Sequence, residues 1–295
     1  MFQGSIPALV TPMTADGAID FAAWDRVLDF HVRSGTDAVV VGGTTGESPT
    51  LERAELEELV RRAKARLAGR MPVIAGSGTN STLKTIALSR AVEAAGADAL
   101  LLVTPYYNKP TQEGLYRHFS AVADAVGIPI ILYNVPGRTG CDMLPATIAR
   151  LSQHPRIAGV KEATGDIERA APILAAAKPG FQLISGDDPT AAQLMQAGAC
   201  GVISVTANVA ARAMHQMCAA ALAGRHGEAA SLNHALLPLH LAMFVEANPI
   251  PVKWAVEQLG LIGPGIRLPL TPLAEKFHAE VAAAMAAVGV MPAAA

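Results

Sequence analysis

Strand-length apolar runs alternate with amphipathic stretches of helical period along the first three quarters of the chain. The runs fall near residues 5–13, 37–42, 72–77, 99–103, 129–134, 157–161, 181–185 and 201–205. The amphipathic stretches fall near 20–33, 50–67, 81–95, 112–125, 144–152, 167–177, 189–197 and 209–223. Strands apolar on both faces and joined by amphipathic crossovers require a parallel sheet covered by helices. Eight such units close more naturally into a barrel than they form an open sheet. The expected fold is therefore α/β, a (β/α)8 TIM barrel over residues 1–224.

Local punctuation supports this division. Asp20 is placed to cap a helix whose Phe21, Trp24, Leu28 and Val32 recur at helical spacing and so belong to the core. Thr50 is expected to cap the charged helix that follows. After Gly224 the alternation stops. Stretches near 226–246, 250–259 and 271–288 read as helices, interrupted by Asn248-Pro249, Gly260 to Gly265 and Pro269. Residues 225–295 form a C-terminal helical region, which either covers the barrel or extends it.

Composition narrows the functional classes. Of 295 residues, 51% are hydrophobic and 16% charged, so a large core is available and a membrane span must be considered. No run approaches the roughly 18 apolar residues a span needs, and Met1 to Val10 lacks the basic start and apolar middle of a secretion signal. The expected location is the cytoplasm, with no membrane partner. A net charge of −2 gives no basic footprint for nucleic acid. Cys141, Cys200 and Cys218 are widely spaced without a CxxC pair, which suits reduced thiols and no structural metal.

In a barrel of this kind, functional side chains come from the C-terminal ends of strands and the loops after them. Those positions hold Thr44, Thr45 and Glu47, then Tyr106 and Tyr107, Tyr133 and Arg138, Lys161, Gly186, and Ile203. Lys161 ends the apolar run that begins at Ile157. The other lysines, at 64, 84, 109, 178, 253 and 276, lie in polar or helix-like contexts, so Lys161 alone is placed for chemistry. A lysine amine in an apolar interior can form an imine with a carbonyl substrate and turn its α-carbon into a masked carbanion. The amine must spend time neutral, and burial lowers a lysine from its ordinary value of about 10.4. Tyr133 is suited to moving protons as the imine forms and breaks, with Thr44 and a second tyrosine relaying them outward. Arg138 is a fork for a carboxylate, which points to a 2-oxo acid such as pyruvate.

Each feature also has an ordinary structural reading. Lys161 could pair with the adjacent Glu162, Gly43-Thr-Thr-Gly46 could be a tight strand-to-helix turn, and Tyr106-Tyr107 could be an oligomer contact. Asn134-Val-Pro-Gly-Arg138 could be an ordinary turn. Asp187-Asp188 are expected to cap a helix begun at Pro189. Nothing matches GxGxxG or a Walker loop. A binding barrel that senses an oxo acid is disfavoured by the full set of Lys161, Tyr133, Thr44 and Tyr107. A phosphate-handling barrel is disfavoured by the absence of a glycine-rich cradle after the last two strands.

Taken in order, Gly43-Thr-Thr-Gly-Glu-Ser48, Val103-Thr-Pro-Tyr-Tyr-Asn108, Tyr133-Asn-Val-Pro-Gly-Arg-Thr-Gly140, Gly159-Val-Lys-Glu-Ala-Thr164, Ser185-Gly-Asp-Asp188 and Asn248-Pro-Ile-Pro-Val-Lys-Trp254 resemble the dihydrodipicolinate synthase family. That family belongs to the pyruvate-dependent, lysine-imine aldolases that include N-acetylneuraminate lyase. The resemblance runs from Gly4 to about Pro272. It implies that Lys161 forms a Schiff base with pyruvate and that Tyr133, Thr44 and Tyr107 relay protons, Tyr107 being lent by a neighbouring subunit of a homotetramer built as a dimer of dimers. It places Thr45, Gly186 and Ile203 around pyruvate and moves Arg138 to the carboxylate of an incoming aldehyde, L-aspartate 4-semialdehyde. It implies no cofactor beyond the covalent substrate imine, and a role in the diaminopimelate route to lysine. The alternative is another pyruvate-dependent aldolase or lyase on the same scaffold, of the sialic acid or hydroxy-oxo-acid type. The Thr44-Thr45 pair and the Arg-Thr-Gly form at Arg138 favour aspartate semialdehyde.

Lysine-inhibited members of the family carry a dimer-interface pocket for free lysine. Its counterparts here are Ser48, Arg53, Leu56, Asn80, Lys84 and Tyr106. Lys84 stands where a carboxylate should meet the ligand's ammonium, and Leu56 replaces a polar ring, so the resemblance implies weak or absent feedback by lysine.

Overall fold

A computed structural model describes residues 2–290. In chain order it runs β1 (Gly4–Pro7), α1 (Phe21–Ser34), β2 (Val39–Val41), α2 (Arg53–Leu67), β3 (Val73–Gly76), α3 (Thr82–Ala94), β4 (Ala99–Val103), α4 (Gln112–Ala125) and β5 (Ile130–Asn134). It continues with α5, a single turn (Pro136–Thr139), α6 (Pro145–Ser152), β6 (Ile157–Glu162), α7 (Ala170–Ala176), β7 (Gln182–Ser185), α8 (Ala191–Gln196), β8 (Gly201–Ser204) and α9 (Ala211–Leu222). The chain ends with α10 (His226–Ala242), α11 (Ile250–Gln258) and α12 (His278–Ala287).

The eight strands form one parallel sheet in the order β1-β8-β7-β6-β5-β4-β3-β2. A parallel bridge between Ala8 and Val40 joins its two ends into a barrel. Side chains alternate across each strand. One set, including Ile6, Val40, Ile74, Leu101, Ile131 and Ile184, fills the barrel. The other set, including Val39, Leu100, Leu102, Leu132 and Leu183, packs beneath the helices. Trp24 and Phe119 are among the largest fully buried side chains there, each stabilising the fold by about 1.5–3 kcal/mol on transfer arithmetic.

Helix boundaries follow local chemistry, with some departures from expectation. Asp20 caps α1, its carboxylate accepting from Ala23 N at 2.9 Å, and Gly35 ends the helix at φ +80°, a conformation only glycine adopts freely. Thr50 does not cap α2. Pro49 and the extended Leu51 delay the helix, and Glu52 and Glu55 close a reciprocal capping box. The first strand is also shorter than 5–13, because Met13 pairs with Ile19 in a small antiparallel bridge.

The C-terminal region covers the barrel. Helix α10 packs on α8, α9 and α12, and α11 touches the turn after β8, so it lies on the rim where the strands end. The described tail is less helical than its sequence suggests. Helix α10 stops at Ala242, and residues 271–274 are irregular before α12, since Pro272 disfavours a helical Thr271. Among the described residues no helix is long and apolar enough to cross a membrane.

Candidate active site

Strand register brings the first two candidates together. Tyr133 on β5 lies opposite Lys161 on β6, and alternation turns both into the barrel. Lys161 Nζ sits 4.3 Å from the centroid of the Tyr133 ring, and both side chains are buried. Among the described residues Lys161 forms no ion pair. Glu162, one position on, necessarily points the other way. Its carboxylate accepts from Arg169 Nε at 3.1 Å and from Thr164 N at 3.0 Å, and Arg169 also holds Asp142. The structural reading in which Lys161 pairs with Glu162 therefore fails, for reasons of strand geometry.

The neighbouring strands shape the space around the lysine. Ile184 is its register partner on β7, and Ile203 on β8 is buried in the same interior cluster. A Cβ at Gly186 would lie 2.8 Å from Lys161 Cε and 2.5 Å from Ala163 Cβ, so the lysine side chain passes where any other residue would project. Asp187 and Asp188 only partly match the expected cap. The helix opens at Ala191; Asp187 accepts from Thr190, while Asp188 accepts from Val205 N and Thr206 N at 2.9 Å each, tying β7's loop to β8's.

The loop after β2 is a tight turn, as its glycines suggest. Its first residue, Gly42, adopts φ +64° and lies so close to β3 that a Cβ at Gly76 would fall 2.2 Å from Gly42 O. Thr44 is half-buried, whereas Thr45 is buried and its hydroxyl accepts from Asn248 Nδ2 at 3.1 Å. Glu47 ends the turn in the left-handed region, at φ 59°.

Thr44, Tyr133 and Arg138 line a cavity of about 790 Å3, and so do Ser48, Arg53, Leu56, Lys84 and Tyr106. In the single chain, Thr44 and Tyr133 of the catalytic candidates thus share one space with most of the regulatory ones. Lys161, Thr45, Gly186, Ile203, Asn80 and Tyr107 are not on its wall. Leu56 is mostly committed to the core, packed against Gly42, and Lys84 is exposed. Arg138 is exposed and donates to the backbone oxygen of Asn248 at 3.3 Å. Tyr107 is 88% exposed and has φ 74°.

A second buried lysine escaped the sequence reading. Lys253, on α11, pairs with Glu47, and both side chains are almost fully enclosed. Burial pushes Lys253 below the ordinary lysine range, and Glu47 opposes the shift. Glu47 also accepts from Arg267 N at 3.0 Å, and the Arg267 guanidinium holds Glu55 well below the usual carboxylate range. The signal that singled out Lys161, a charge within an apolar run, is present in Ile250-Pro-Val-Lys-Trp-Ala-Val256 as well. A depressed lysine is a candidate nucleophile, but Lys253 is locked to the Glu47 carboxylate.

Residues 1–288 match the model of the dihydrodipicolinate synthetase family. A 4-hydroxy-tetrahydrodipicolinate synthase of Methylococcus capsulatus is 58% identical over 99% of this chain and 100% of the relative. One of Pseudomonas aeruginosa is 54% identical with the same coverage. The crystal structure of a chloride-inhibited dihydrodipicolinate synthase from Acinetobacter baumannii, complexed with pyruvate, superposes with a TM-score of 0.97 at 48% identity, over 99% of this chain and 100% of the other. The Aquifex aeolicus dihydrodipicolinate synthase gives 0.96 at 41%, again over 99% and 100%.

Proposed function

The chain belongs to the dihydrodipicolinate synthetase family, and we propose from this and from the placement of Lys161 that it condenses pyruvate with L-aspartate 4-semialdehyde, as a 4-hydroxy-tetrahydrodipicolinate synthase does. The observation that carries the mechanism is Lys161 Nζ, buried without a carboxylate partner among the described residues and 4.3 Å from the Tyr133 ring centroid. The neutral amine attacks the keto carbon of pyruvate, water leaves as the imine forms, and loss of a methyl proton gives the enamine. Tyr133 exchanges protons with the carbinolamine, and Thr44 with Tyr107 carries them onward. Thr45, Gly186 and Ile203 bound the pyruvate. Arg138, at the cavity wall, receives the carboxylate of the semialdehyde as a charge-assisted hydrogen-bond fork. The enamine carbon attacks the aldehyde, and ring closure by the substrate's amino group expels Lys161.

Tyr107 is exposed in the single chain, as are Tyr106 and Leu83. This supports a homo-oligomer, a tetramer of paired dimers, in which a neighbouring copy lends that tyrosine.

A substrate panel tests the reading. Purified protein is expected to consume pyruvate with aspartate semialdehyde, and to show no comparable cleavage of sialic acid or of hydroxylated oxo acids. Preferred cleavage of either would assign it to another branch of the lysine-imine aldolases. Feedback by L-lysine is expected to be weak or absent, because Lys84 places a like charge on the wall the ligand's ammonium would approach and Leu56 is turned into the core. Strong inhibition by millimolar L-lysine in the same assay would contradict this.

A further inference from the structure

Asn248 touches two residues of the proposed substrate site from a distant part of the chain. Its side-chain amide donates to Thr45 Oγ1 at 3.1 Å, and its backbone oxygen accepts from Arg138 Nη2 at 3.3 Å. The residue is 5% exposed, and its Oδ1 has no hydrogen-bond partner among the described residues. A buried carboxamide with an unpaired acceptor is unusual unless its other end is needed where it lies. Its position is fixed from the C-terminal side, because Lys253 N donates to Pro249 O at 2.9 Å. The Lys253 side chain is in turn anchored on Glu47, two residues beyond Thr45.

Polarity follows from this arrangement. A threonine hydroxyl has one proton and two acceptor positions. If one acceptor position receives Asn248 Nδ2, the proton must point elsewhere. Thr45 lies at the mouth of the barrel, where a carboxylate requires donors. We propose that Asn248 is a positioning residue for the condensation: by donating to Thr45 Oγ1 it turns the threonine proton toward the carboxylate of bound pyruvate, and through its backbone oxygen it steadies Arg138 for the second substrate.

This inference rests on the reading of Thr45 as a pyruvate contact, and Asn248→Ala and Asn248→Asp separate it from simple packing. Alanine removes one donor, so the half-saturating pyruvate concentration should rise roughly threefold to tenfold, the worth of one hydrogen bond. Aspartate is nearly isosteric but only accepts, so it captures the threonine proton and adds a negative charge near the substrate carboxylate. It should raise that concentration by about tenfold or more, with kcat changed by no more than about threefold. Pyruvate saturation is read both in the condensation assay and as the concentration dependence of borohydride trapping, which does not involve the aldehyde. In a Thr45→Val background the Asn248→Ala effect on pyruvate should disappear.

If aspartate serves as well as asparagine, the hydroxyl donates to residue 248 and the proposal is wrong. Equal losses in kcat for both variants, with pyruvate saturation unmoved, would mark a packing role and overturn it too. Failure of the unsubstituted protein to trap pyruvate on Lys161 would instead remove the functional reading itself.

Discussion

Lys161→Ala is expected to abolish covalent capture of pyruvate and to lower kcat by on the order of 1000-fold or more, because only binding and proton transfer remain once the nucleophile is gone. The direct measurement is borohydride reduction in the presence of pyruvate, followed by peptide mass mapping. The unsubstituted protein should carry one reduced pyruvate on the peptide containing Lys161, and Lys161→Ala and Lys161→Arg should carry none. Arginine is the sharper variant, since it keeps a long basic side chain near the Tyr133 ring but is not nucleophilic at any accessible pH. Lys253 is the internal control. It is the other deeply buried lysine, with 5% exposure against 6% for Lys161, and burial lowers it. A search for depressed lysines alone would nominate it. Geometry decides otherwise, because Glu47 occupies its ammonium while Lys161 has no such partner among the described residues. A pyruvate adduct on Lys253, or full activity in Lys161→Arg, would invalidate the mechanism.

The barrel was legible because parallel strands buried on both faces read as unbroken apolar runs, and eight of them were separated by helical periods. For the same reason the sequence could not say which face of each strand looks inward. Leu100 and Leu101 are equally apolar, yet one packs under the helices and the other fills the barrel. Thus Lys161 could be singled out, but the opposite direction of Glu162 required the strand register. Contacts across the rim were invisible for another reason. Asn248 and Thr45 lie 203 residues apart and Lys253 and Glu47 lie 206 apart, so no local pattern records them. Glu47 in the left-handed region is a similar case. Glutamate has no preference for that conformation, and it is held there by partners from α11 and from Arg267. The cap of α2 differs in kind: threonine is a usual N-cap residue and glutamate is not, so residue type points to Thr50, whereas the structure closes the box with Glu52 and Glu55.

The long-range ties make the C-terminal region part of the site's construction, and their removal should be visible as stability. Lys253→Met keeps the apolar stem and deletes the ammonium, leaving the Glu47 carboxylate enclosed with Arg267 N as its remaining donor among the described residues. Breaking a buried pair in this way typically costs about 3–5 kcal/mol, since one charge stays desolvated without its counterion. An unfolding entropy of about 2.1 cal/mol/K per residue over 295 residues converts this to a fall in Tm of roughly 5–8 °C. Circular dichroism melts at matched protein concentration provide the measurement, because any assembly of copies makes Tm concentration-dependent. Lys253→Met combined with Glu47→Gln removes both charges and keeps an acceptor for Arg267 N, so it should recover at least about half of the loss. The pair is also two residues from Thr45, so Lys253→Met should weaken pyruvate saturation in the folded fraction, and the double variant should restore stability better than it restores saturation. A Tm unchanged within about 1 °C would mean that Glu47 finds compensation elsewhere and that α11 does not anchor the turn through this pair. Equal losses in the single and double variants would point to the packing of the lysine stem, not its charge, as what holds α11 on the rim.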